Sequence, residues 1–423
     1  MTSRRKFIQS TALLGGMSML PGYIQGMPGN NLRPETQSEI KGKSIIGIYG
    51  HWADGLVPDP PALSYRKGGW KNLGSWQKKA LEKAREMISS PEIVGVPSVT
   101  VEKKYEYDGL SVEEISWQLP YGNRTEAILL KPAGASGPLP GILGLHDHGG
   151  NKYFGRRKIT RTTDQMHPMM EEHQQHYYEG NAWANEIARR GYVVLVHDTF
   201  TFGSRRVLFK DMAEISWGCS ATAGKTDENP EDPAHIETYN QWAGEHEHIM
   251  AKSLFCAGTT WPGVFLAEDR QALGVLAARD DVDSERIGCA GLSGGGLRTV
   301  YLGGTDHRVK CAVCVGFMST WSDFLLNKAY THTWMTYTPL LPKYIEFPEI
   351  LGLRVPLPTM TLNNSQDGLY TLPEMEKADK MLQEIFIKAG ATDHYQGRFY
   401  PGDHKFDAAM QRDAFDWFDK WLK

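Results

Sequence analysis

Cysteine is scarce in this chain of 423 residues: there are five, an odd number, and their spacing fits neither a disulfide framework nor a zinc site. Cys289, Cys311 and Cys314 fall in apolar runs that read as buried strands, where a free thiol acts as a small hydrophobe. An excess of charge of one sign is lacking too. Lys and Arg total 46 against 50 Asp and Glu, a net charge of -4, so nothing points to nucleic acid as a partner. After residue 26 there is no run of about 18 apolar residues, which excludes a membrane-spanning helix there. Internal repeats and low-complexity runs are absent as well, so the chain is not a repeat array.

What is present is a composition 41% hydrophobic and 11% aromatic, enough for one large α/β domain with additions or for two ordinary domains. The N-terminus places Arg4, Arg5 and Lys6 before a short apolar run from Thr11 to Leu20. This resembles a twin-arginine export signal. The other reading is an N-terminal helix, with an apolar run too short to cross a bilayer. The expectation is a signal over residues 1–26, then a linker and N-terminal extension over 27–97, in a soluble periplasmic or extracellular protein.

Within the extension, Trp76, Ala80, Leu81, Ala84 and Met87 mark one face at helical spacing. From residue 98 the texture changes. "SVTVEKKYEYDG", "SVEEISWQLP" and "TEAILLKPAG" predict three antiparallel strands. Then "GILGL", "GYVVLV", "RIGCAG", "VKCAVCV" and "LPTMTLNN" supply apolar runs of the kind found in strands buried on both faces, with helical patterns between them. The fold class is α/β: a mostly parallel sheet with helices on both faces, opened by antiparallel strands. Two segments break the rhythm, about 204–262 and 319–353, and both leave the carboxyl ends of strands, where open α/β sheets build ligand sites.

The string Gly291-Leu292-Ser293-Gly294-Gly295 is weak evidence by itself in a chain with 44 glycines. Its context is stronger: it follows the predicted strand 286–290 and opens the predicted helix 297–302, the strand–turn–helix setting of a nucleophile elbow. A serine hydroxyl needs a base, and the base an orienting acid. Asp367 lies just beyond the "TMTLNN" strand and His404 in a loop after "GRFY", in the order serine, acid, histidine. Asp403 competes with Asp367, but as the sequence neighbour of His404 it is badly placed to orient that ring. The amide of Gly294 supplies one oxyanion donor, and the loop "HDHGGNK" offers the second from His148 or Gly149. A metal reading, with His146 and His148 joined by His173 or His176, lacks a third ligand at a standard spacing. The "EHEH" at 245–248 reads as a solvated helix face.

Together these residues resemble the α/β-hydrolase superfamily over about residues 98–423, and within it the acetyl xylan esterase and dienelactone-hydrolase-like branch. "LHDHGGNK" is similar to that branch's oxyanion strand end, "HDTFTFGSRR" to its Asp-x-x-x-x-Gly-x-Arg segment, and "YPGDHKFD" to its histidine loop. Asp147 departs from it, standing where glycine is usual. The resemblance implies two-step ester hydrolysis by Ser293, His404 and Asp367 with neither metal nor organic cofactor. The insertions carry Trp217, Trp261 and Trp321, suited to stacking on sugar rings or to packing the insertions down. The expected substrate is an acylated carbohydrate or small ester, with acetyl groups on a polysaccharide first. Hydrolysis of other small esters or lactones, a peptidase, and a catalytically silent glycan-binding protein are the other readings.

Overall fold

Strands buried on both faces have to be apolar on both, and the five-residue runs VVLVH and CAVCV are buried at every position. In the computed structural model, which describes residues 43–228 and 231–423, they lie inside one nine-stranded sheet of order β1-β2-β3-β5-β4-β6-β7-β8-β9. The expected export signal falls outside the described residues. Three antiparallel strands open the sheet: β1 (Val99–Tyr107), β2 (Leu110–Trp117) and β3 (Thr125–Pro132). β3 pairs antiparallel with β5 (Val193–His197). From β5 onward through β4 (Leu139–Gly144), β6 (Val282–Leu292), β7 (Cys311–Val315), β8 (Thr359–Asn364) and β9 (Tyr395–Tyr400), every pairing is parallel. The edge strand β1 is mostly exposed and carries Glu102, Lys103, Lys104 and Glu106, charges that discourage edge-to-edge association.

The parallel part forces crossovers, and their helices cover both faces. On one side, α6 (Trp261–Ala277), α7 (Gly294–Thr305) and α10 (Leu372–Lys388) share a core with α2 (Leu73–Ile88) of the N-terminal extension. On the other, α4 (Trp183–Arg189) and α11 (Ala408–Leu422) bury Trp183, Phe415 and Phe418. α2 buries Trp76, Ala80, Ala84 and Ile88, with Leu81 and Met87 half-buried beside them. The predicted face is thus rotated slightly toward Ile88.

The first of the two segments set apart in the sequence contains the 24-residue helix α5 (Pro233–Cys256), and with α3 (Pro168–Tyr178) and the Tyr153–Phe154 loop it forms a small core of its own. The second is short turns, α8 (Trp321–Asp323) and a π-helical turn over Phe324–Lys328, closed by α9 (Phe347–Gly352). The short helix α1 (Gly50–Asp54) packs on that π turn, tied there by the Ser322 hydroxyl donating to Asp54 at 2.9 Å. Among the described residues, no helix is long and apolar enough to cross a membrane.

Candidate active site

β6 ends at Leu292 and α7 begins at Gly294, leaving Ser293 alone at the corner with φ 57° and ψ -117°. A non-glycine residue there stores about 1–3 kcal/mol of strain, so its surroundings have to hold it. They do so from both sides: the Ser293 N–H donates to the Val315 carbonyl at 2.9 Å, and its carbonyl accepts from Leu297 N at 2.8 Å. α7 begins three residues before the predicted 297 because the turn itself supplies its first residues. Two glycines make the corner possible. A Cβ on Gly291 would lie 2.3 Å from the Leu145 carbonyl oxygen, and one on Gly295 would lie 2.0 Å from the same atom. Both are backbone contacts that cannot give way.

Asp367 lies three residues past β8 and His404 four past β9, so parallel pairing of the two strands brings their loops to one sheet edge. The His404 Nδ1 is 2.6 Å from the buried Oδ2 of Asp367, whose Oδ1 accepts from Leu369 N at 2.9 Å. With Nδ1 donating to the carboxylate, the lone pair is left on Nε2, which has no partner among the described residues. The imidazole packs against Gly316, where a Cβ would stand 3.0 Å from its Cε1. Gly316 directly follows the Val315 carbonyl that holds Ser293, so serine and histidine abut adjacent residues. Asp403 is exposed.

The loop after β4 completes the corner. The carbonyls of Asp147 and His148 both accept from the Lys158 ammonium, at 2.9 and 2.8 Å, and that of His146 from Arg298 at 3.4 Å. A trans peptide directs its N–H opposite to its C=O. Pinning the Asp147 carbonyl therefore turns the following His148 N–H away from the Lys158 ammonium. The His148 nitrogen lies 3.0 Å from where a Gly294 Cβ would stand, so the backbone of His148 abuts the residue that follows Ser293. Gly149, the other predicted donor, has φ 50° and faces the Asp147 carboxylate, 2.4 Å from the position of its absent Cβ.

Asp147, the departure from the usual glycine, is an anchor. Its buried Oδ2 accepts from Tyr178 Oη at 2.6 Å and pairs with His173 Nε2 at 3.1 Å. Burial raises its carboxyl, but His173, Lys158 and these hydrogen bonds outweigh that and hold it well below the usual carboxylate range. Lys158 is pushed down to about 8 by burial, opposed by Asp147 and Asp198. Arg298 is fixed by Asp269 at 2.5 Å, and Asp269 also meets His197 at 3.0 Å. The Asp198 segment is equally determined: a Cβ on Gly203 would stand 2.4 Å from its carboxyl carbon, and its oxygens accept from Arg156 and from the Ser204 amide at 2.8 Å.

The solvated reading of "EHEH" is corrected for its middle pair. Glu245 is exposed, but His246 and Glu247 are buried, because α5 lies over the oxyanion loop. Glu247 pairs with His148 Nε2 at 3.0 Å and with Lys152 Nζ at 2.7 Å, while His148 Nδ1 accepts from Gly150 N at 3.1 Å. Of the three tryptophans expected at the substrate rim, Trp217 is 83% exposed, but Trp261 is only 1% exposed and Trp321 7%. Trp261 packs edge-on to Phe200 and under Lys152, and Trp321 donates to the Ile345 carbonyl at 3.0 Å. Their burial answers the question the sequence left open: they hold the insertions down. Among the described residues, no group of three His, Cys, Asp or Glu side chains is placed to hold a metal ion.

No family model matches the chain. A protein of Bacillus subtilis strain 168 named "Putative hydrolase YtaP" is 25% identical over 332 residues, 78% of this chain and 93% of that one. Among solved structures, "a putative acetyl xylan esterase" from Bacteroides fragilis is similar with a TM-score of 0.59 at 16% identity, over 85% of this chain and 83% of the other. A glucuronoyl esterase from Solibacter usitatus is similar with a TM-score of 0.57 at 14% identity, over 87% of this chain and all of the other. With the sheet order and the elbow, these likenesses establish the α/β-hydrolase fold.

Proposed function

We propose that the protein is a serine ester hydrolase that removes acetyl or similar small acyl groups from a carbohydrate, acting outside the cytoplasm. The observation that carries this reading is the junction of a strained Ser293, a His404 ring fixed by buried Asp367 with its Nε2 lone pair free, and the His148 nitrogen set against Gly294 at the same corner.

In the first step the Ser293 hydroxyl attacks the ester carbonyl while His404 Nε2 takes its proton, and the developing oxyanion receives the N–H groups of Gly294 and His148. Each such donor is worth about 3–4 kcal/mol in the transition state. The imidazolium, stabilised by Asp367, returns the proton to the departing alcohol. Water then enters, gives its proton to His404 and attacks the acyl-serine; collapse releases the acid and restores the hydroxyl. The fold does not choose the ester. Likeness to structures described as an acetyl xylan esterase and a glucuronoyl esterase supports a carbohydrate ester. Esters in which the sugar contributes the acid, such as a methyl uronate, are the second reading, favoured by likeness to the methylesterase BT1017, with a TM-score of 0.53 at 19% identity.

The test is hydrolysis of p-nitrophenyl acetate, acetylated xylan and a methyl-esterified glycan by the wild type and by Ser293→Ala. Loss of about 10⁴-fold or more in kcat is expected for the variant, with acetylated xylan the better glycan. Retained turnover would remove Ser293 as nucleophile. A preference for the methyl ester would replace the first substrate reading by the second.

A further inference from the structure

A separate hollow of about 460 Å³ lies between residues 46–59 and the second insertion, a size suited to a small molecule. Its lining includes neither Ser293, Asp367 and His404 nor any residue of the oxyanion loop. The walls are aromatic: Phe255 from α5, then Trp321, Phe324, Trp334 and Tyr337. One buried carboxyl is set among these rings, that of Glu346. Its Oε1 accepts from the amides of Trp321 at 2.7 Å and Phe347 at 3.0 Å, capping α9. The carboxyl completes a capping box with Glu349, and it also stands on the cavity wall. Burial pushes this carboxyl up to about 7, Glu349 adding to the rise and the two amides and Arg66 opposing it.

The mouth has the same sign. Asp54 and Asp59 line it with one ammonium, Lys377, which lies 3.7 Å from Glu374; Asp59 also pairs with Arg66 at 3.0 Å from outside the lining. An anion entering here meets three carboxyl groups, and a purely apolar guest brings Glu346 no counter-charge. A cation on an apolar body meets both needs, because electron-rich ring faces attract cations as carboxylates do.

We propose that this cavity is a binding site for an organic ammonium ion carried on an aromatic body, with the ammonium against Glu346 and the body between Trp321, Trp334 and Tyr337. The proposal is independent of ester hydrolysis, and its test is run on the full chain and on Ser293→Ala alike, so loss of the esterase reading leaves it standing. Three probes of one shape are titrated calorimetrically: 2-phenylethylammonium, 2-phenylethanol and phenylacetate. The ammonium is expected to bind about tenfold or more tightly than either of the others. Glu346→Gln keeps an oxygen for the two capping amides; it is expected to lower ammonium affinity about tenfold and leave the alcohol unchanged. Trp334→Ala, at a ring 42% exposed, is expected to weaken the ammonium and the alcohol together. The proposal is overturned if the ammonium shows no binding up to about 10 mM, if the alcohol or phenylacetate binds as well, or if Glu346→Gln binds the ammonium as the wild type does. Should Glu346→Gln fail to fold, unchanged ammonium affinity in Trp334→Ala overturns it instead.

Discussion

At the scale of single residues, the site depends on cations buried under the oxyanion loop. Lys158 is the clearest case, holding two loop carbonyls from a fully buried position. Its charge is opposed by burial and by Arg298 and Lys152, and favoured by Asp147 and Asp198, with the balance at about 8. Below that pH the ammonium stands behind the amides proposed to receive the oxyanion and adds to their field. Above it the charge is lost. The prediction is a fall in kcat as pH rises through about 8, measured on an ester with its own alkaline hydrolysis subtracted, and absent in Lys158→Gln, which is slow throughout. Stability moves the other way. The folded pKa lies below the ordinary lysine value of 10.5, so between the two the unfolded chain binds more protons, and this group's contribution to stability rises with pH across that window. A denaturation series from pH 7 to about 10 separates the two effects, since stability that holds or rises through the range of the activity loss excludes unfolding as its cause. An alkaline limb that persists in Lys158→Gln would assign it to another group.

At the scale of elements, α5 acts as a clamp on the oxyanion loop through one carboxylate. Glu247 meets both His148 and Lys152, and its removal leaves the Lys152 ammonium buried with only the Ala243 carbonyl, at 2.8 Å. Glu247→Ala is therefore expected to destabilise by about 3 kcal/mol, as breaking a buried ion pair does. It is also expected to lower kcat about tenfold or more with little change in KM, because a loop that presents a transition-state donor is loosened. Equal kcat in a variant of lowered melting temperature would reduce α5 to a structural cover. This clamp was hidden in the sequence for a physical reason: four charged or polar residues in a row look solvated, and His148 and Lys152, which pair with Glu247, lie almost 100 positions away. The same limit hid Asp147, whose partners His173 and Tyr178 come from α3. The elements that were legible are those written locally. β5 and β7 announce themselves as short continuous apolar runs, and the elbow is announced by glycines whose Cβ atoms would strike the Leu145 carbonyl. His404 and Asp367 were legible because their place at adjacent strand ends follows from chain order alone.

At the scale of the whole molecule, composition suggests an extension over 27–97 and a catalytic region from 98, but the hydrophobic core does not stop at 98. Trp76, Ala80, Ala84 and Ile88 belong to the same cluster as α6, α7 and α10. Polar contacts repeat the pattern. The buried Glu349 of α9 accepts from the Ser64 hydroxyl at 2.5 Å and the Tyr65 amide at 3.0 Å, and Trp76 donates to the Leu63 carbonyl at 2.8 Å. Removing residues 43–97 would strip α2 from the core and leave Glu349 without those donors. Truncating a buried Trp alone costs about 3–5 kcal/mol, and an unsatisfied buried polar group about 1–3 more. A domain holds only about 5–15 kcal/mol in total. A chain beginning at residue 98 is therefore expected to lack a cooperative melting transition and to be inactive, although every residue proposed for ester chemistry is retained. Circular dichroism melting of that truncation, beside a chain beginning at residue 43, decides it. A folded, active chain from 98 would show that the extension rests on a core that is complete without it, whereas the packing of Trp76 and the bonding of Glu349 make residues 43–97 part of the folding unit.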